Sequence, residues 1–168
     1  MFLEFGATVQ GPDGPKILPT FEYILDENAQ VMAPCDGLIT RLDFREDSQD
    51  YSMIIKNEEN SIWFVNVDHI KNITVQEGDR LVAGQILGNP GNWNNAPGLG
   101  RVELSVINDE ERRNYCPFFV FDPSLKSSFE AKVSQLMTDW ETFKGDQTIY
   151  DQENMTAPAC LQDWYNTD

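Results

Sequence analysis

The sequence predicts a mainly β fold, a small antiparallel β-sandwich or barrel-sandwich hybrid, with one amphipathic helix toward its C-terminal end. Two observations indicate this class. Between Ala29 and Ile107, short runs rich in β-branched and aromatic residues are separated by turns that contain glycine, proline or asparagine. After Tyr115, apolar residues recur instead at spacings of three and four. Strands this short and this evenly spaced are typical of sandwiches and small closed sheets.

The expected strands follow one another closely along the chain. "QVMAP" and "GLITRLDF" flank a turn at Cys35-Asp36-Gly37, and "YSMIIKN" and "SIWFVNV" form a hairpin around "EEN". "RLVAGQILGNPG" is a strand interrupted by glycines, and "GRVELSVIN" completes the set. The segment "DFREDSQD" lacks the alternating oxygen ligands of a calcium loop. We expect its acidic residues to be solvated: Asp43, Glu46, Asp47 and Asp50.

A single helix is predicted from about residue 124 to 144. Asp122-Pro123-Ser124 supplies an N-cap and an early proline, and Gly145 supplies a C-terminal glycine. We expect its apolar stripe to pack on the same chain, and the stripe comprises Leu125, Phe129, Val133, Leu136, Trp140 and Phe143. The chain then divides into a β domain, residues 1–122, with a core motif over about 18–107, and a helix and tail, residues 123–168, packed on it.

The charge of the chain excludes two classes of partner. Its 168 residues include 12 Lys and Arg and 28 Asp and Glu, a net charge of -16. Such an acidic protein repels phosphate backbones and anionic headgroups, so neither nucleic acid binding nor membrane insertion is expected. No apolar run approaches the roughly 20 residues that span a bilayer. The first residues also lack the basic and apolar regions of a signal peptide.

The three cysteines fit no zinc-binding spacing. In an oxidising compartment a pair and one spare thiol are expected, whereas a reducing compartment would leave three thiols. Cys116 follows the last predicted strand, and Cys160 lies in a tail with little else to hold it. We therefore predict a disulfide between Cys116 and Cys160, with Cys35 free.

Three segments in fixed order carry a family resemblance: "VMAPCDGLI", "HIKNITVQEGDRLVAGQILGNPGN" and "GRVELSV". Together they resemble the lysostaphin-like zinc endopeptidases of the M23 family, which cut peptidoglycan cross-bridges. The resemblance covers residues 18–107, and 73–88 follow the family pattern nearly position for position. It implies the family's duplicated hybrid fold and favours an extracellular or cell-envelope setting.

The same resemblance implies that the catalytic zinc site is degenerate. The family takes its zinc ligands from H-x-x-x-D and from the second histidine of H-x-H, and it has further catalytic histidines in the H-L segment and at the first position of H-x-H. The matched residues here are Leu18, Glu22, His69, Leu99 and Arg101. Leucine has no lone pair, and a protonated arginine repels a dication. We expect no metal: His69 is a remnant of the catalytic position, Glu22 is the one matched ligand, and Arg101 pairs with a carboxylate, for which Glu22 is the first choice.

The loop "GNPGNWNNAPG" is the best candidate for binding. A tryptophan beside asparagine amides can stack on a sugar or clamp a peptide, so the expected binding residues are Trp93, Asn92, Asn94, Asn95, Arg101 and Glu103. The favoured function is a catalytically inactive M23-like module that binds or scaffolds a cell-envelope peptide, a glycan or another protein. One alternative is an active zinc metalloendopeptidase with rearranged ligands, including Asp68. A biotinyl, lipoyl or phosphotransferase-type carrier, modified at Lys56 or His69, is a weaker alternative.

Overall fold

The computed structural model describes residues 1–11, 14–93 and 96–167. Over these residues the predicted antiparallel β-rich fold with one α-helix is confirmed. The elements are β1 (Phe2–Leu3), β2 (Thr8–Gly11), β3 (Gly14–Ile17), β4 (Phe21–Asp26), β5 (Val31–Met32), β6 (Gly37–Arg45), β7 (Asp50–Lys56), β8 (Trp63–Lys71), β9 (Arg80–Leu81), β10 (Ile86–Asn92), β11 (Leu99–Asn108), β12 (Arg113–Tyr115), α1 (Pro123–Lys144) and β13 (Trp164–Asn166).

The main sheet is built on β11, β8, β7 and β6, which pair antiparallel in that order. On the other side of β11, β4 extends the sheet from Phe21 to Asp26. One face of these strands carries the apolar residues of each alternating pattern, among them Met53, Ile55 and Val67, which are buried in the main core. The opposite face carries polar residues, because side chains on a strand alternate between the two faces.

Strand β10 enters the sheet between β8 and β11. These two strands pair as far as Asp68 and Glu103. Beyond that point β10 takes the place between them, with Pro90 opposite Ile70 and Gly91 opposite Arg101. We call this point, where β8, β10 and β11 meet, the fork. His69 and Arg101 lie there, and they are the residues matched to catalytic positions of the M23 family.

The helix α1 has the predicted ends but buries a different side from the one expected. Asp122 accepts a hydrogen bond from the Ser124 N–H, and Gly145 adopts a left-handed conformation at the C-cap. Its buried residues are Met137 and Glu141, with Val133 and Trp140 partly buried beside them. The expectation that the whole apolar stripe is covered was therefore wrong: Leu125, Phe129, Leu136 and Phe143 are exposed.

Two features explain why this side of the helix is buried, and the apolar pattern of the sequence shows neither of them. Glu141 is buried because its carboxylate accepts hydrogen bonds from the Tyr150 N–H and the Gln152 side chain. Met137 lies one turn before it and enters the second apolar core, which also holds Phe2, Phe21 and Phe118. No helix in the described part of the chain is both long and apolar enough to cross a bilayer.

The tail is attached to the β domain by a covalent bond and by strand pairing. Cys116 and Cys160 form a disulfide with a Cα–Cα distance of 6.0 Å, and Cys35 is a free, half-buried thiol. Strand β13 pairs with β12. The Tyr150 hydroxyl also donates to the Phe2 carbonyl, so the tail contacts both ends of the β domain.

Candidate functional site

His69 occupies a β-bulge in β8. The pairing with β7 shifts at this point, since Ser52 is opposite Asp68 and Tyr51 is opposite Ile70. The extra residue is His69, which has a φ of 61°, a conformation unusual for a residue other than glycine. The bulge allows Asp68 and His69 to lie on the polar side while Ile70 returns to the core. His69 thus lies within β8.

Asp50 orients the imidazole. Its carboxylate is fully buried, and Oδ2 lies 2.8 Å from His69 Nδ1. Oδ1 accepts a hydrogen bond of 2.5 Å from the Ser48 hydroxyl. The expectation that every acidic residue of "DFREDSQD" is solvated was wrong for Asp50, because this residue begins β7 and points to the polar face beside the bulge.

The guanidinium of Arg101 lies among the side chains at the fork. Nη2 is 2.6 Å from His69 Nε2, and Nη1 is 3.7 Å from Glu103 Oε1 and 3.9 Å from Glu22 Oε1. Glu22 and Glu103 are direct neighbours across β4 and β11. Glu22 was expected to be the first partner of Arg101, but in the structure the imidazole and Glu103 are nearer.

The guanidinium packs against the imidazole ring. Nη2 is 2.6 Å from His69 Nε2 and 3.4 Å from Nδ1. An approach along the Nε2 lone pair would leave Nδ1 much farther away, so Nη2 lies against the ring rather than in line with that lone pair. Nδ1 faces Asp50 Oδ2, and Arg101 fills the space beside Nε2.

The electrostatics of the site depend on the arginine. Burial raises the pKa of Glu22, and the neighbouring Glu103 raises it further, whereas Arg101 and then His69 lower it. Two adjacent glutamates are costly to ionise in a partly buried position without a cation. The guanidinium supplies that positive charge.

The residues present do not fit a catalytic zinc ion. A zinc hydrolase needs three protein ligands and an open position for water. At the matched positions Leu18 is a buried apolar residue and Leu99 is exposed, while Arg101 occupies the space between the remaining donors. In the ranges 1–11, 14–93 and 96–167, no three His, Cys, Asp or Glu side chains are arranged to hold a metal.

Gly91 makes the close packing at the fork possible. A Cβ at this position would lie 2.5 Å from Asp50 Oδ2 and 3.0 Å from His69 Cβ. The first distance is shorter than real Cβ contacts and the second is tighter than most of them. Asp50 has little room to move aside because it is fully buried. Any side chain on residue 91 would therefore displace the pair that holds the imidazole.

Trp93, directly after β10, lies over this network. Trp93, the first of the expected binding residues, is half-buried, and its ring lies 5.4 Å from the Arg101 guanidinium carbon. Asn92 is exposed and accepts a hydrogen bond from Lys71. Asn94 and Asn95, the other two binding candidates in this loop, lie outside the described residues. Trp93 and Asn92 thus form one rim of the site.

From the site, a polar surface continues across β8 and β7. Buried Asp68 forms an ion pair of 2.6 Å with Arg45 and accepts a hydrogen bond from the His69 N–H. Farther along, the Ser52 hydroxyl donates to the Asn66 side chain. These side chains lie on the same face as Glu22 and Glu103, so hydrogen-bonding groups line a surface that starts at Trp93.

Sequence reasoning missed Asp50, Gly91 and the bulge. One signal was available, because in "VDHI" two polar residues separate Val67 from Ile70, which breaks the strict alternation of a strand. Both apolar residues can reach the core only if an extra residue is inserted. The role of Asp50 had no comparable signal in the sequence.

The two residues that a carrier function would modify are Lys56 and His69, and both already make other contacts in the structure. Lys56 ends β7, and its ammonium lies 5.7 Å from the centre of the Phe64 ring. His69, the other candidate for modification, has ring contacts to Asp50 and Arg101. The structure therefore provides no direct support for a carrier function at either residue.

Comparison with solved structures shows which known proteins share this arrangement of strands. The catalytic domain of the antimicrobial peptidase lysostaphin from Staphylococcus simulans matches with a TM-score of 0.53 and 15% identity, over 65% of this chain and 80% of that one. The catalytic domain of the prophage-encoded M23 protein EnpA from Enterococcus faecalis matches with a TM-score of 0.50 and 21% identity, over 64% and 81%. The fold is that of M23 peptidase domains.

The M23 likeness also extends to longer proteins. Helicobacter pylori Csd3 matches with a TM-score of 0.52 and 13% identity over 90% of this chain, but over 42% of its own length. Similarly, the chain spans 44% of the lysostaphin chain solved in solution. No model of a protein family matches the sequence, and no curated protein sequence is similar to it. At these identities the M23 likeness concerns the fold.

Proposed function

We propose that this M23-like domain binds a cell-envelope peptide or glycan and does not hydrolyse it. One observation carries the proposal: the Arg101 guanidinium lies where a metal would have to approach the imidazole, 2.6 Å from His69 Nε2. A guanidinium this close to Nε2 repels a metal ion and excludes a water molecule from the same position. The histidine remains in place as part of the fold.

The ion network favours this state over a metal-bound one. To admit a dication, Arg101 would have to leave Glu22, Glu103 and Trp93, and the metal would then meet a single imidazole and carboxylates. Such a donor set favours harder ions than zinc. The cation that neutralises the two glutamates is already part of the chain.

The proposed ligand follows from the polar face and its rim. Trp93 offers an aromatic surface, and Asn92 and the Ser52–Asn66 pair offer hydrogen-bonding groups along the sheet. Sugars and extended peptides bind to surfaces of this kind, through stacking and through spaced hydrogen bonds. The solved neighbours include an antimicrobial peptidase, which supports a ligand from the cell envelope and an extracellular or envelope location.

Calorimetry with zinc tests the first half of the proposal. The chelator-treated protein is titrated with zinc beside the variant His69→Ala, and neither should bind with submicromolar affinity. A one-to-one site of that affinity that disappears in His69→Ala would establish the alternative, an active metalloendopeptidase with rearranged ligands. Release of peptide fragments from a glycine-rich substrate in the presence of zinc would also refute the proposal.

Co-sedimentation with purified peptidoglycan tests the second half. The parent should sediment with the insoluble material and leave its cross-links intact, while Trp93→Ala should weaken the binding about tenfold. Trp164→Ala is the matched control, because Trp164 lies on β13 against Arg113 and away from the fork. Equal binding by both variants would exclude Trp93 from the site. Absence of binding by the parent would exclude the envelope ligand.

A further inference from the structure

The outer side of α1 carries a second apolar stripe. Four residues form this outer stripe, and they are 51%, 39%, 41% and 78% exposed: Leu125, Phe129, Leu136 and Phe143. Their spacings of four, seven and seven place them on one line of the helix. Met137, on a different side, makes the contact with the core. Phe129 contacts Phe121 and Phe143 stacks on Trp140, yet all four side chains of the outer stripe keep more than a third of their surface exposed. An exposed apolar surface of this kind indicates an interaction site.

The outer stripe continues onto the sheet. Leu136 borders an apolar groove together with Ile24, Leu25 and Val102. The uncovered surface therefore consists of a helix face and an adjoining groove, rather than of isolated side chains. Helices commonly pack along one another through such faces.

Two charged residues complete the heptad pattern of the outer stripe. Lys132 lies between Phe129 and Leu136, and Asp139 lies between Leu136 and Phe143. The Lys132 ammonium is 4.6 Å from the centre of the Phe129 ring, so it lies over the stripe. The two charges are opposite in sign and are separated by two turns. The charges are therefore distributed unequally along the stripe, with a cation toward its N-terminal end and an anion toward its C-terminal end.

The helix is also electrically different from the remainder of the protein. It contains three lysines and three acidic residues, so the whole net charge of -16 is carried by the rest of the chain. A cationic partner would be attracted to those other surfaces rather than to α1. Two copies of this chain repel one another at the acidic surfaces and can approach most closely through a neutral one.

We infer that α1 is the interface of a homodimer in which two outer stripes pack antiparallel. Pairing about the midpoint of the stripe brings Leu125 opposite Phe143 of the partner subunit. It also brings Lys132 within roughly 4.5 Å, along the helix axis, of Asp139 of the partner subunit, and it does so twice. A parallel arrangement would instead place each lysine against its own copy.

Sedimentation equilibrium over a range of protein concentrations tests the interface. The parent should dimerise, and Phe143→Glu should weaken the dimer roughly tenfold or more. Val82→Glu is the matched control, since Val82 is 65% exposed on the β9 side of the molecule, and it should leave the dimer unchanged. A parent that stays monomeric at all concentrations would overturn the inference, as would a dimer that survives Phe143→Glu.

The charge pair gives a test of orientation that does not depend on one substitution being tolerated. Lys132→Asp and Asp139→Lys should each be monomeric alone, because each sets like charges against one another. An equimolar mixture should form heterodimers, in which both ion pairs are restored. If both variants dimerise alone as well as the parent does, the antiparallel interface is wrong. Circular dichroism of each variant confirms that α1 is intact.

Discussion

Removal of the guanidinium at the fork should destabilise the domain in a pH-dependent way. Arg101→Met keeps the length of the side chain and removes its charge. Glu22 and Glu103 then face one another without a cation, and Glu22 cannot rehydrate because its side chain is only 5% exposed. The variant therefore isolates the electrostatic contribution of Arg101.

The magnitude follows from the distances and the exposure. Two unit charges about 4 Å apart attract by about 4 kcal/mol at the effective dielectric of a partly buried site, and desolvation of the ions offsets much of this. Loss of one partner of a fully buried pair costs about 3–5 kcal/mol. Arg101 is 27% exposed, and its distances to the two carboxylates are 3.7 and 3.9 Å. We therefore expect a loss of about 2–3 kcal/mol near neutral pH.

The loss should shrink in acid. Burial, and then Glu103, raise the pKa of Glu22 in the folded state, and removal of Arg101 raises it further. A carboxyl whose pKa is raised by folding binds its proton more tightly in the folded state, so its ionisation reduces stability as the pH rises above its ordinary value. Below that value it is protonated in both states, and the cost of the missing cation disappears.

Urea unfolding at about pH 7 and at about pH 4, near the ordinary pKa of glutamate, measures both effects. The matched control is Arg80→Met, because Arg80 is exposed on β9 and should change stability by less than about 0.5 kcal/mol at either pH. Two results would refute the reasoning: a variant at position 101 as stable as the parent at neutral pH, or a loss that is equal or larger in acid.

Five other substitutions have predicted effects on stability. Gly91→Ala should cost about 1–3 kcal/mol in urea unfolding, because its methyl group would meet buried Asp50; a neutral effect would show that the fork can relax. In the dissociated monomer, at protein concentrations too low for dimers, Met137→Ala should cost about 2–5 kcal/mol and Trp140→Ala about 3 kcal/mol, whereas Phe143→Ala, 78% exposed, should cost less than about 0.5 kcal/mol. The reverse order would restore the stripe predicted from the sequence. Cys116→Ser should cost about 4 kcal/mol, since the disulfide spans 44 residues, and two alkylatable thiols at 116 and 160 in the native protein would contradict the pairing.

Sequence patterns predicted most of the fold because they report burial along single strands. The hairpin of β7 and β8, the turn at Gly37 and the ends of α1 all follow from local residue types. The side of α1 that is buried does not follow from local residue types. Glu141 enters the interior because it accepts hydrogen bonds from Tyr150 and Gln152, which lie 9 and 11 residues later in the chain. An apolar pattern cannot register a polar residue that is buried by its hydrogen bonds.

The site was predicted in the same uneven way. The substitutions at Leu18, Leu99 and Arg101 followed from the resemblance, and so did the position of His69. Asp50 could not be assigned, because its contact with His69 joins two strands through a bulge whose register only the folded sheet defines. Long-range contacts between polar side chains leave little trace in a single sequence.

The origin of the cation at the fork has a consequence for where the domain can work. A bound metal equilibrates with its surroundings, so its occupancy depends on supply, on competing chelators and on the protonation of its ligands. Arg101 is attached to the chain and carries its positive charge with it. The charge that compensates Glu22 and Glu103 is therefore present in every folded copy, at a fixed stoichiometry. A scavenger of trace metals in the surrounding medium cannot withdraw it.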